Sequence, residues 1–148
     1  MTLMRLWHWK ILPYLPKSQL LAQKRECDLI WKDIGEGRKT NHVLINYIWE
    51  YEDYKEELAL YYDLLKMEFK RRGFNFNYNP NSIVVIDCNS HLPFYKHQDN
   101  RYLVECYFNL EEKQRRGQKD YDIKTFLELY TFVNNETNGW LRELKTHL

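Results

Sequence analysis

Apolar side chains recur along this chain mostly at three- and four-residue steps, the spacing that lines one face of an α-helix. Over residues 17–34, Leu20, Leu21, Ile30, Trp31 and Ile34 keep near-helical spacing, and Gly35 and Gly37 mark its end. A clearer helix is predicted over residues 54–72, where Leu58, Tyr61, Tyr62, Leu65 and Phe69 share a face. Lys70, Arg71 and Arg72 suit its negative dipole end, and Gly73 supplies a C-terminal cap. Two further helices are predicted, over residues 100–115 (Leu103, Val104, Tyr107, Leu110) and 121–133 (Ile123, Phe126, Leu127, Tyr130, Val133), followed by a short helix or tail over 140–148. Pro13 and Pro16 punctuate an arm ahead of the first helix. Residues 35–41 read as a flexible basic loop before the apolar stretch 43–49, and residues 74–81 as a loop rich in Asn and Tyr. The β-branched run Ile83-Val84-Val85-Ile86 fits a strand or a buried helix equally by periodicity, and a lone strand would have no partner. The expected fold is all-α, a compact helical bundle formed by one domain over residues 1–148.

Composition agrees with a packed core: 44% of residues are hydrophobic and 16% aromatic, too many rings for a disordered tail. Cys27, Cys88 and Cys106 are odd in number and far apart, which fits neither a disulfide framework nor paired zinc ligands and points to a reducing cytoplasm. Apolar runs fall short of the roughly 20 residues of a membrane span, so the expectation is a soluble, unexported chain. A net charge of +1 gives no global argument for nucleic acid. Its distribution does more. Residues 1–25 hold Arg5, Lys10, Lys17, Lys24 and Arg25 without an acid, whereas Glu50, Glu52, Asp53, Glu56 and Glu57 crowd a later stretch.

Glu26 is the first carboxylate in the chain and follows Arg25 directly. Such pairs are ordinarily solvated surface partners; an isolated acid in a basic stretch is also what an acid acting on an anionic substrate requires. The arm Arg5-Leu6-Trp7-His8-Trp9-Lys10 interleaves rings and cations, which suits stacking on bases and contact with phosphate as well as it suits a lid on the core. Lys113, Arg115, Arg116 and Lys119 read as a solvated helix end within reach of phosphate. His91, His97, Asp87, Asp99 and Cys88 match no zinc spacing, and no metal site is expected.

Met4-Arg5-Leu6-Trp7-His8, the run Leu15-Pro16-Lys17-Ser18-Gln19-Leu20-Leu21-Ala22-Gln23-Lys24-Arg25-Glu26-Cys27, Asn46-Tyr47, Arg71-Arg72-Gly73-Phe74-Asn75, Tyr95-Lys96-His97 and Tyr102-Leu103-Val104-Glu105-Cys106 with Asn109-Leu110 stand in a distinctive order. In that order the chain resembles the pyrimidine dimer DNA glycosylase (phage endonuclease V-like) family over about residues 4–115. The resemblance implies an all-helical monomer without metal or cofactor, acting on double-stranded DNA that carries pyrimidine dimers or abasic sites. It implies a glycosylase and abasic-site lyase reaction through a Schiff base on the N-terminal α-amine. Glu26 is then the catalytic carboxylate, and Arg5, His8, Lys24 and Arg25 form the DNA-contacting set. Removal of Met1 would leave the amine on Thr2; a start at Met4 would leave it on Met4. Leu29 stands where the phage-type enzyme has a further DNA-contacting arginine. Three rival readings accompany this one: a lyase without glycosylase activity, a non-catalytic nucleic-acid-binding helical module, and a helical interaction protein that uses the acidic face of residues 50–57.

Overall fold

Each helix begins and ends where local chemistry satisfies its free backbone groups. The computed structural model describes residues 4–85 and 91–146, and among these the regular structure is entirely helical. A 3-10 helix (Trp9–Tyr14) precedes α1 (Lys17–Gly35); a second 3-10 helix (Asn46–Glu50) precedes α2 (Tyr54–Arg71); α3 (Asn100–Arg115), α4 (Ile123–Glu136) and α5 (Trp140–Thr146) follow. At the end of α2 the Phe74 amide donates to the Phe69 carbonyl and the Gly73 amide to the Lys70 carbonyl, with Gly73 at φ 79°. That double return needs a left-handed residue, and the Phe69 and Phe74 rings close over it.

The later helices start on side-chain caps. Asp99 accepts from the Tyr102 amide at 2.9 Å, and Asp122 from the Thr125 amide at 2.7 Å. The expected start of α4 at Tyr121 is therefore two residues early. Tyr121 lies outside the helix and packs edge-on against Phe126, four positions into it, so its apolar character staples the helix entrance. Pro16, at the cap position of α1, makes no side-chain cap. The missing acceptor comes from Asp120, which receives the Ser18 amide at 2.6 Å and lies 3.1 Å from the Ser18 hydroxyl.

The core takes the inward faces of α1 to α4 and the arm. Leu20, Cys27, Ile30 and Trp31 of α1 meet Leu58, Tyr61, Tyr62 and Leu65 of α2, with Leu103, Cys106, Tyr107 and Leu110 of α3 and Leu129 and Val133 of α4. Leu6, Ile11, Leu12 and Leu15 of the arm are fully buried among them. The Tyr102 hydroxyl donates to the Leu6 carbonyl at 2.5 Å, and the Trp9 amide donates to Gln98 at 2.8 Å.

Several expectations change. Residues 82–85 form neither strand nor buried helix, and Val84 is exposed; Ile86, the last of that run, and Asp87 and Cys88 after it fall outside the described residues. Val43, Ile123 and Leu127 project into solvent rather than the core. The acidic face is also smaller than expected. Glu57 is buried, accepting the Phe94 amide at 2.7 Å and contacting the His91 imidazole, so it serves the fold instead of a partner. Among the described residues, no helix is long and apolar enough to cross a membrane.

Candidate active site

The inward stripe of α1 contains one amide among apolar residues: Gln23, three positions after Leu20 and four before Cys27. Its burial is complete, and so is its bonding. Gln23 Oε1 accepts the Trp7 amide at 2.7 Å and lies 2.9 Å from the Tyr61 hydroxyl, while Nε2 donates to the Arg5 carbonyl at 2.8 Å and to Glu26 Oε2 at 3.1 Å. Tyr61 also donates to the Trp7 carbonyl at 2.7 Å. The arm is thereby fastened to α1 at the turn that presents Glu26.

Glu26 is half-buried and stands between two clefts. One, of about 610 Å³, is edged by Arg5, Asn109, Lys113, Arg116 and Gln118; the other, of about 750 Å³, by Arg25, Leu29, Lys32, Asn79 and Asn81. Burial raises the Glu26 carboxyl above its ordinary range, opposed by the Arg5 amide and guanidinium, the Gln23 amide and Arg25. In the first cleft Glu112 is paired with Arg116 at 2.7 Å, which leaves Glu26 facing a largely cationic rim. The second cleft is walled by the loop of residues 74–81. Tyr62 holds that loop by accepting the Asn79 amide at 2.9 Å while donating to Asp28 at 2.7 Å, and the Asn79 side chain donates to the Asp28 carbonyl.

The structure brings Arg5, Arg25 and Glu26 together and separates them from two other expected DNA contacts. His8 is 2% exposed; its ring stacks on Tyr102, its Nδ1 accepts the Lys10 amide at 3.1 Å, and burial together with Lys10 lowers its pKa to about 4. This neutral, enclosed imidazole caps the 3-10 turn from within the fold rather than lining either cleft. The Lys24 ammonium lies 2.7 Å from Asp28 and 4.7 Å from the centre of the Phe76 ring, which ties α1 to the loop of residues 74–81. Arg25 is exposed, and no carboxylate among the described residues lies within ion-pair distance of it. Arg5 lies over the Trp7 ring at 5.1 Å. Thr2 falls outside the described residues.

Gln23 and Asn109 escape a reading of spacing alone, whereas Lys113 belongs to the basic helix end expected within reach of phosphate. Of the first two, only Gln23 leaves a signal, as a polar residue at a core-facing helix position that must have buried partners. His97 bonds Tyr51 and pairs with Glu50, His91 meets Glu57, and Asp99 caps α3; among the described residues no three ligand-type side chains converge on a metal position.

A sequence model of one family, described as pyrimidine dimer DNA glycosylase, matches residues 4–81. The match takes in the arm, α1 with Glu26, α2 and the loop that walls the second cleft. No curated protein and no solved structure matches the chain.

Proposed function

The chain belongs to the pyrimidine dimer DNA glycosylase family, and from that premise we propose that it is a DNA repair enzyme with both glycosylase and abasic-site lyase activity. Residues 1–148 act as one domain in this reading, since α3, beyond the matched segment, supplies a wall of the cleft at Glu26. The observation that carries the proposal is the position of Glu26: a half-buried carboxylate joined through one side chain to the N-terminal arm and facing Arg5, Lys113 and Arg116. Cations around an acid suit an anionic backbone that must be bound and cut.

The nucleophile in this reading is the terminal α-amine. Its lone pair bonds to C1′ of the damaged nucleotide as the glycosidic bond breaks and the base leaves with a proton. The amine, having given up one proton, stays bonded to C1′; the C1′–O4′ bond then breaks as O4′ takes a proton, which gives the iminium, and removal of a C2′ proton expels the 3′ phosphate oxygen. Glu26 would move protons in these steps and stabilise the cationic iminium. The nitrogen of Arg5, which draws on Glu26, belongs to a peptide bond whose lone pair is delocalised, so the attacking amine belongs upstream, on Thr2 or Met4. Free α-amines titrate at about 7.7–8.0, and neighbouring cations lower that value toward working pH.

Borohydride reduction on abasic duplex DNA tests the reading, because only a Schiff base is fixed covalently. The expected result is a trapped complex whose tryptic peptide carries the sugar remnant on the α-amine. A remnant on Lys10 or Lys24 would reject the terminal amine, and no trapping on either abasic or dimer-containing duplex would reject the lyase.

A further inference from the structure

Gln23 has the bonding of a component of the reaction centre. A carboxamide offers two donors and two acceptor lone pairs: Oε1 accepts the Trp7 N–H and lies 2.9 Å from the Tyr61 hydroxyl, whose single proton is shared between Oε1 and the Trp7 carbonyl, while both Nε2 protons are used, on Arg5 C=O and Glu26 Oε2. The pattern also fixes which way the amide points. Rotated by half a turn, its NH2 would face the Trp7 N–H, and its oxygen would face a carbonyl and a carboxylate. Gln23 is 1% exposed, so water cannot replace a lost partner without opening the core.

We propose that Gln23 is a positioning residue for the reaction assigned above, fixing the Glu26 carboxylate against the first residues of the arm. The proposal rests on the reading of Glu26 as the working acid. Nε2 donates to Glu26 Oε2, beside the Arg5 backbone amide, which also draws on the carboxylate. Nε2 also holds the Arg5 carbonyl, so a single group sets the carboxylate and the backbone leading to the terminal amine in one frame. A side chain that bonded only the arm, or only Glu26, would leave the distance between amine and acid to vary.

Removing the donor has a sign that can be measured. The charged groups lining the clefts with Glu26 are Arg5 from the arm, Arg25, Asp28 and Lys32 from α1, Glu112 and Lys113 from α3, and Arg116 just after α3, while the loop wall contributes only the neutral Asn79 and Asn81. None of these changes in Gln23→Met, which withdraws the hydrogen bond to the anion and leaves Glu26 in its desolvated place. The Glu26 midpoint should rise by about one pH unit, and abasic-site cleavage near neutral pH should fall by about tenfold or more. Gln23→Glu preserves the acceptor for Trp7 and Tyr61 and sets an acid against Glu26, so it should raise the midpoint further.

The experiment is a ¹³C NMR titration of side-chain carboxyls in the full chain, with Glu26 assigned by its absence in Glu26→Gln, run beside cleavage assays for the parent and both variants. An upward shift of the Glu26 midpoint in a cooperatively melting variant, together with slower cleavage, is the expected result. An unchanged midpoint with lost cleavage would make Gln23 an anchor for the arm alone, and failure of both variants to fold would assign it to the scaffold; each overturns the proposal. Should Glu26→Gln cleave at the parent rate, the reading of Glu26 fails by itself, while the titration still reports whether Gln23 controls its proton.

Discussion

Glu26 on α1 and His8 in the arm answer burial with pKa shifts of opposite sign. Burial raises the acid, which a proton-transfer role near neutral pH can exploit, whereas it drives His8 to remain neutral. Glu26→Gln should fold and still bind DNA yet lose cleavage by about a hundredfold or more; parent-like cleavage of dimer-containing duplex would reduce Glu26 to a surface partner of Arg25. For His8 the folded pKa of about 4 lies below the ordinary imidazole value of 6.5. The unfolded chain therefore takes up a proton first on acidification, and stability falls between pH 6.5 and 4 by at most about 3 kcal/mol. Urea unfolding at pH 7 and pH 4.5 should show a smaller loss in His8→Asn than in the parent. Spacing alone exposes Glu26 as an acid isolated among bases, but it cannot separate a cation that faces solvent from one held inside. Lys24 and Arg25 are neighbours in sequence; the 100° turn between them sends one to Asp28 and Phe76 and the other outward.

Helical periods foresee the elements well where the apolar stripe meets a neighbour. Every residue expected on the buried face of α2 is buried, and α3 has the predicted bounds. They fail where a stripe outruns its cover: Ile123 and Leu127 keep the period of α4 yet lie beyond the surface that α3 and the arm provide. The start of α1 is illegible for a different reason, since its acceptor is Asp120, 102 positions away from Ser18. Asp120→Ala should lower stability by about 1 kcal/mol, in the range of a lost N-terminal cap, and chemical denaturation should show this loss without a change in cooperativity. An equal loss in an added Ser18→Ala background would assign the effect to the Ser18 amide and not its hydroxyl, and no loss in either background would show that the carboxylate does not cap α1.

Across the whole molecule, charge is arranged by pairing more than by number. Glu68 receives Arg71 and Arg72, and Glu111 receives Arg115 and Lys145, so much of the basic count is spent within the fold. Arg5 and Arg25, at the two clefts beside Glu26, are the cations expected to meet phosphate. Replacing either with Ala should reduce the slope of log binding constant against log salt by about one, and Lys24→Ala should leave that slope unchanged; a reduced slope for Lys24→Ala would return it to the DNA-facing set. The arm has a second consequence, which concerns the order of assembly. Its backbone and side chains are held by Gln98, Tyr102 and Glu136, at sequence separations of 89, 96 and 126. During synthesis these partners leave the ribosome long after the arm does, and contacts that close such large loops form late. The arm is thus among the last segments to be seated, and the cleft that joins it to Asn109, Lys113 and Gln118 closes only after the later helices have emerged.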